Sequence, residues 1–167
     1  INESVCAIIP DIISKDYQII WQTGKNYSYN LCNHFDAAKN KNIFVQEFIY
    51  EMPQAYAAAD VIISRAGAIA VSEIAAIAKP VIFIPSPNVT DDHQTKNAMV
   101  FVNHNAALLV KDNVARESLG KTLFALIDDK NARGEMCENL KKLAMPDAAK
   151  SIAKKIIELR EKKLNGR

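Results

Sequence analysis

The sequence predicts an α/β fold, a Rossmann-like parallel sheet flanked by helices. Three observations carry this. Short apolar runs alternate with helical patterns along the whole chain. Two of the runs, "VII" from Val61 and "VIFI" from Val81, are apolar at every position, as strands covered on both faces are. Proline or glycine closes several of them sharply, as in "PVIFIP" and "WQTG".

The elements follow in order. "VCAIIPDIIS" reads as a helix with a proline in or near its break, and residues 17–24 ("YQIIWQTG") read as a strand. Residues 26–38 suit a helix, and residues 42–49 ("NIFVQEFI") are rich in strand formers. "MPQAYAAAD" places Pro53 near the start of a short helix. Residues 61–64 form a strand, 68–78 a helix of small and apolar residues, and 80–85 a strand bracketed by prolines. Asp91 or Asp92 is expected to cap a helix through 93–104. Residues 107–110 ("ALLV") give the last strand, and 114–128, 131–143 and 147–163 read as helices. No internal repeat or flexible linker interrupts the pattern, so residues 1–167 read as one domain. A doubly wound domain usually opens on a strand and a glycine-rich turn. This chain opens on a helix, from Ile1 rather than a methionine, so we expect a fragment or processed chain whose first, central strand lies upstream.

Apolar residues make up 49% and charged residues 24%, the balance of a water-soluble globular domain, and no apolar run is long enough to span a bilayer. The three cysteines, Cys6, Cys32 and Cys137, are odd in number and widely spaced, which suits reduced thiols in a cytoplasm. Cys32 and His34 lack the further ligands that zinc takes, so no metal is expected. The net charge of +2 is uneven: residues 141–167 hold nine Lys/Arg against three Asp/Glu. Such a tail attracts anionic surfaces, although its plainer reading is a solvated helix face.

In parallel sheets ligands bind beyond the carboxyl ends of the strands, so functional groups should lie just after Ile49, Ser64, Pro85 and Val110. After Ser64 the chain reads Arg65-Ala66-Gly67-Ala68. The start of the next helix offers unpaired N–H groups and a partial positive charge, a seat for phosphate. An ordinary strand-to-helix turn, with glycine chosen for its geometry, explains the same residues. Glu73, one turn further, can accept hydrogen bonds from the vicinal hydroxyls of a ribose, but a lone Glu there is more often simply solvent-facing. The next strand end, "PSPNVTDDHQTKNA", crowds Asn88, Asp91, Asp92, His93, Gln94 and Asn97 at a helix opening. Amides and imidazole both donate and accept, as sugar hydroxyls require. His93 could alternatively serve as a base. No Ser or Cys nucleophile has a matching partner, and neither a Walker loop nor a GxGxxG fingerprint is present, which argues against acyl transfer, ATPase and dehydrogenase chemistry.

Taken together, "SRAGAIAVSEIAAIAKPVIFIPSPNVTDDHQTKNA", with "FIYEMPQAYAAAD" upstream, closely resembles the carboxyl-terminal half of the MurG family. These are the UDP-N-acetylglucosamine transferases of peptidoglycan synthesis, which convert lipid I to lipid II. The resemblance covers nearly the whole chain. It implies the donor-binding half of a GT-B glycosyltransferase, with the amino-terminal acceptor domain and the glycine-rich loop outside residues 1–167. It implies that the Ile49 backbone meets uracil and that Glu73 holds the ribose. Gly67, Ala68 and Ile69 would lie along the diphosphate and sugar, with Arg65 in the same substrate-binding set. His93, Gln94 and Asn97 would face N-acetylglucosamine. It implies inversion at the anomeric centre without metal or cofactor, the helix start stabilising the departing diphosphate. No general base is assigned. The implied partners are UDP-N-acetylglucosamine, lipid I through the other domain, and an anionic membrane surface on the cytoplasmic face; no nucleic acid is implied. Ala70 and Ala78 depart from the family's usual Thr and Gly. Without its partner domain the fragment is expected to be inactive. Two other readings remain open: a stand-alone donor subunit that pairs with a membrane-bound acceptor subunit, and a non-catalytic nucleotide-sugar-binding module.

Overall fold

The computed structural model describes residues 1–27 and 40–165. Within them α1 (Asn2–Ser14) leads to β1 (Ile19–Gln22), and β2 (Ile43–Gln46) to α2 (Met52–Ala58). Then come β3 (Ile62–Ser64), α3 (Ala68–Ile77), β4 (Val81–Phe83), α4 (His93–Val102) and β5 (Leu108–Leu109). Helices α5 (Ala115–Asp128), α6 (Lys130–Leu143) and α7 (Ala148–Asn165) complete the chain. The expected helix over 26–38, with Cys32 and His34, lies largely outside the described residues.

All strand pairing is parallel, as the alternation predicts. The strands do not form one continuous ladder, however. β1 pairs with β2, and separately β3 pairs with β4 and β4 with β5. Among the described residues β1, β2, β3 and β5 therefore each keep one unpaired edge. The observed strands are also shorter than their apolar runs, because only the residues in register with a neighbour bond along the ladder: Ile62 faces Val81 and Ser64 faces Phe83.

One core joins both sheets. Val81, Ile82, Phe83 and Ile84 are fully buried, which is why that run carries no polar residue. Helix α1 contributes Val5, Ile8, Ile9 and Ile12, the one-sided spacing of an amphipathic helix. Pro10 sits inside α1 on its exposed side rather than ending it. Helix α1 packs on α5, and α3 on α6 and α4. The α1–α5 contact is close at Gly120, where a Cβ would come within 3.1 Å of Ile8. The start of α1 is tied to β1 by polar groups. Trp21 Nε1 donates to Asn2 Oδ1 (3.1 Å), and Asn2 Nδ2 donates to the carbonyl of Thr23 (2.8 Å).

Two expectations need correction. Asp92 stands at the N-cap of α4, but its side chain makes no capping bond. Asp91 and Asp92 both adopt left-handed backbone, φ 54° and 53°, in the 3-10 turn before α4, which is not the extended backbone of an ordinary N-cap. Nor are all the cysteines reduced: Cys137 is free, but Cys6 is disulfide-bonded. The rule about number and spacing along the chain does not see a pairing made by the fold; the Tyr27 hydroxyl also lies 3.1 Å from the Cys6 sulfur.

Candidate functional site

The turn after β3 is the centre of the arrangement. Gly67 is the N-cap of α3, and its φ of −66° and ψ of 152° are open to any residue. A Cβ there would meet nothing within 4 Å. Glycine is therefore not required by the turn or by packing. What it does is leave the start of α3 bare. No side chain caps α3, and the first carbonyl-bonded amide of the turn is Val71 N–H, which donates to Gly67 O over 3.0 Å. The N–H groups ahead of Val71 in this first turn donate to nothing among the described residues, and they carry the positive end of the helix dipole. Ala68 and Ile69 sit exposed on this turn, Ile69 at 77%.

Two polar side chains hold this turn, and a third holds the loop after β4 beside it. Asn97 Nδ2, from α4, donates to the Ala66 carbonyl at 3.0 Å. Arg65 Nη1 donates to the carbonyls of Ile84 and Pro85, each at 3.0 Å, and forms a short ion pair with Asp112 beyond β5. Gln94 Oε1 accepts from the Ser86 N–H at 2.8 Å. The loops leaving β3, β4 and β5 are thereby held at one end of the sheet. Arg65, Gln94 and Asn97 spend these atoms on the protein's own backbone. His93 is exposed at the first position of α4; its backbone N–H donates to Thr90 O, and its imidazole makes no hydrogen bond among the described residues.

Glu73 is exposed on the second turn of α3 and accepts a hydrogen bond from the Tyr56 hydroxyl at 3.3 Å. This bond joins α3 to α2. Burial, and then the Glu73 carboxylate, push the Tyr56 phenol above its ordinary value. Ile49 lies beyond the end of β2, where its N–H donates to Gln22 Oε1 at 2.9 Å. On either side of it Phe48 and Tyr50 meet edge to face, centroids 5.1 Å apart, and Tyr50 is 85% exposed. A cavity of about 360 Å³ opens here, lined by Gln46, Glu47, Phe48 and Tyr50.

The structure thus brings Arg65, Gly67, Gln94 and Asn97 together directly, and Glu73 lies one helical turn from them. Ile49 makes no hydrogen bond to this group; its N–H goes to Gln22. Gln22, Tyr56 and Asp112 escape sequence reasoning. For Asp112 a signal existed, because it falls just beyond Val110, where functional groups were expected. Among the described residues no group of three or more His, Cys, Asp or Glu could hold a metal ion.

The comparisons agree on one relationship. Residues 1–152 match the glycosyltransferase family 28 C-terminal domain. The chain is 44% identical over 163 residues to the UDP-N-acetylglucosamine–N-acetylmuramyl-(pentapeptide) pyrophosphoryl-undecaprenol N-acetylglucosamine transferase of Bacteroides thetaiotaomicron, covering 96% of this chain and 44% of that protein. It is 42% identical to the protein of the same name from Flavobacterium psychrophilum, covering 96% of this chain and 43% of that one. Among solved structures it is similar to MurG of Acinetobacter baumannii, with a TM-score of 0.73 and 27% identity over 94% of this chain and 45% of that one. A UDP-N-acetylglucosamine 2-epimerase, at 15% identity and a TM-score of 0.61, shares the fold alone. The chain spans less than half the length of these curated relatives.

Proposed function

Because the chain belongs to the glycosyltransferase family 28 C-terminal domain family, we propose that it is the donor-binding domain of an enzyme that moves N-acetylglucosamine from UDP-N-acetylglucosamine to N-acetylmuramyl-(pentapeptide) pyrophosphoryl-undecaprenol. Those substrates are the ones named for its relatives. The observation that carries the reading is the bare start of α3 at Gly67, with Glu73 one turn behind it and three loops strapped around it. A diphosphate sits at the helix start, its charge met by free N–H groups and the dipole. The ribose hydroxyls donate to Glu73. The sugar lies towards Ala68, Ile69, His93, Gln94 and Asn97, and the base towards Ile49. Arg65 shapes the site by holding Ile84 and Pro85.

Chemically the domain's task is to hold the leaving diphosphate. As the bond from C1 to the donor oxygen breaks, negative charge grows on that oxygen, and donors fixed beforehand stabilise it without reorganising. The attacking hydroxyl is the acceptor substrate's own, and no residue of 1–167 is assigned as the base that takes its proton. Among the described residues no helix is long and apolar enough to cross a membrane. The basic, exposed α7 is the element by which we place the protein peripherally on an anionic cytoplasmic membrane surface.

The test is calorimetric titration of the full-length protein with UDP-N-acetylglucosamine, UDP-glucose and UDP. Saturable binding that Glu73→Ala weakens supports the donor site. Binding that is indifferent to Glu73 overturns it.

A further inference from the structure

We infer that Gln22 is a stand-in for the nucleobase, occupying the Ile49 backbone when no nucleotide is bound and swinging out when one arrives. The inference rests on the donor-site reading above and deepens it. Its basis is a contact that competes with the ligand. Ile49 offers a backbone N–H and a carbonyl between Phe48 and Tyr50 in the chain, whose exposed rings, with Gln46 and Glu47, line an open hollow of about 360 Å³. A flat heterocycle fits against such rings and reads the adjacent backbone by hydrogen bonds. The Ile49 N–H, however, is already taken: Gln22 Oε1 accepts it at 2.9 Å.

The chemistry of the occupant matches that of the expected guest. A primary carboxamide presents a carbonyl oxygen beside an N–H, and so does the O4–N3 edge of uracil. Cytosine presents the inverse pattern on that edge. The side chain is tethered by this one bond. Gln22 Nε2 donates to nothing among the described residues, and the Ile49 carbonyl accepts nothing there. A brace built to fix the Ile49 loop would use both ends of the amide. A stand-in needs only to keep the N–H paired and to leave easily. Gln22 is exposed at the last position of β1, so it can turn into solvent without disturbing the strand, whose ladder to Gln46 is made by the backbone.

The experiment is titration of UDP and CDP into the full-length protein carrying Gln22→Ala and, separately, Gln22→Asn, which is one methylene too short to reach Ile49. The wild type and Glu73→Ala are run alongside. Removing a competitor worth one solvent-exposed hydrogen bond should tighten UDP about two- to fivefold in both variants. CDP, which cannot replace the amide in kind, should gain less, so the UDP-to-CDP preference should rise. In the wild type, UDP should also shift the NMR signals of the Gln22 side-chain amide towards those of a free carboxamide. Weaker or unchanged UDP binding in both variants, with the Glu73→Ala loss intact, overturns the stand-in and makes Gln22 a ligand contact or a brace. If UDP binds no form of the protein, the donor-site reading fails and the stand-in fails with it.

Discussion

The side-chain amide of Asn97 donates to the carbonyl of Ala66 across 3.0 Å, so helix α4 holds the turn from which α3 springs. Ala66 is fully buried. Asn97→Ala leaves its carbonyl without a partner and should cost about 1–2 kcal/mol of stability. Asn97→Asp should cost more, because a carboxylate cannot donate and faces the carbonyl oxygen with like charge. Urea denaturation of the three proteins checks the order. Equal midpoints would show that water replaces the strap without loss.

Glu73 is the residue on which nucleotide affinity should depend most. A charged acceptor that loses two hydroxyl donors costs about 1.5–3 kcal/mol, so Glu73→Ala should weaken UDP roughly ten- to a hundredfold in the full-length protein. The loss should shrink with 2′-deoxy-UDP, which offers one hydroxyl fewer. Calorimetry with both ligands decides it, and equal losses would remove the ribose role.

Tyr56 gives a pH signature. Its phenol is raised by burial and by Glu73, so the folded state holds the proton more tightly than the unfolded chain, whose ordinary value is 10.0. The sign follows: this stability is fully present below pH 10 and is lost as pH rises from there through the folded value. Tyr56→Phe should remove that part of the alkaline decline while leaving the protein weaker at neutral pH, where the Glu73 bond is gone. Unfolding curves taken between pH 8 and 11 measure it, and a decline identical in both proteins would refute it.

How far the sequence speaks depends on whether the signal is local. Pro80 and Pro85 bracket the run that contains β4, and the burial of Val81, Ile82, Phe83 and Ile84 follows from that run itself. The Asp92 cap failed because a left-handed turn is invisible to a rule about residue type. The straps escape for another reason. Arg65 and Asp112 are 47 residues apart and Ile49 and Gln22 are 27 apart, so no window along the chain holds both partners. Sequence reasoning placed Arg65, Gln94 and Asn97 at the site, but it could not see that much of their hydrogen bonding goes to the backbone around it.

Ala78 carries a backbone cost that glycine would relieve. It ends α3 in the left-handed region, φ 52° and ψ 43°, where a Cβ is crowded and glycine is at ease. The family's usual glycine at this place fits that geometry. Ala78→Gly should stabilise the protein by about 0.5–1 kcal/mol, the relief of strain exceeding the added entropy of the unfolded chain. Denaturant midpoints test this, and a destabilised variant would show that the methyl's contacts outweigh the strain.

Helix α7 should bind anionic lipid. None of its residues through Lys163 is buried, and Ile152, Ile156 and Leu159, on one side by their spacing, are all more than half exposed. Lys150, Lys154, Lys155, Arg160, Lys162 and Lys163 outnumber Glu158 and Glu161. An apolar stripe beside basic residues is the composition of a helix that lies in a membrane interface, each cation adding about 1 kcal/mol near an anionic surface. The full-length protein should therefore sediment with phosphatidylglycerol vesicles, less so as salt rises and the charges are screened. Replacing Lys150, Lys154 and Lys155 by Glu should weaken binding and flatten its salt dependence, while Ile152→Ser with Ile156→Ser should weaken it at every salt concentration. If neither change alters sedimentation, the membrane contact lies elsewhere in the protein, and the exposed stripe of α7 covers protein rather than lipid.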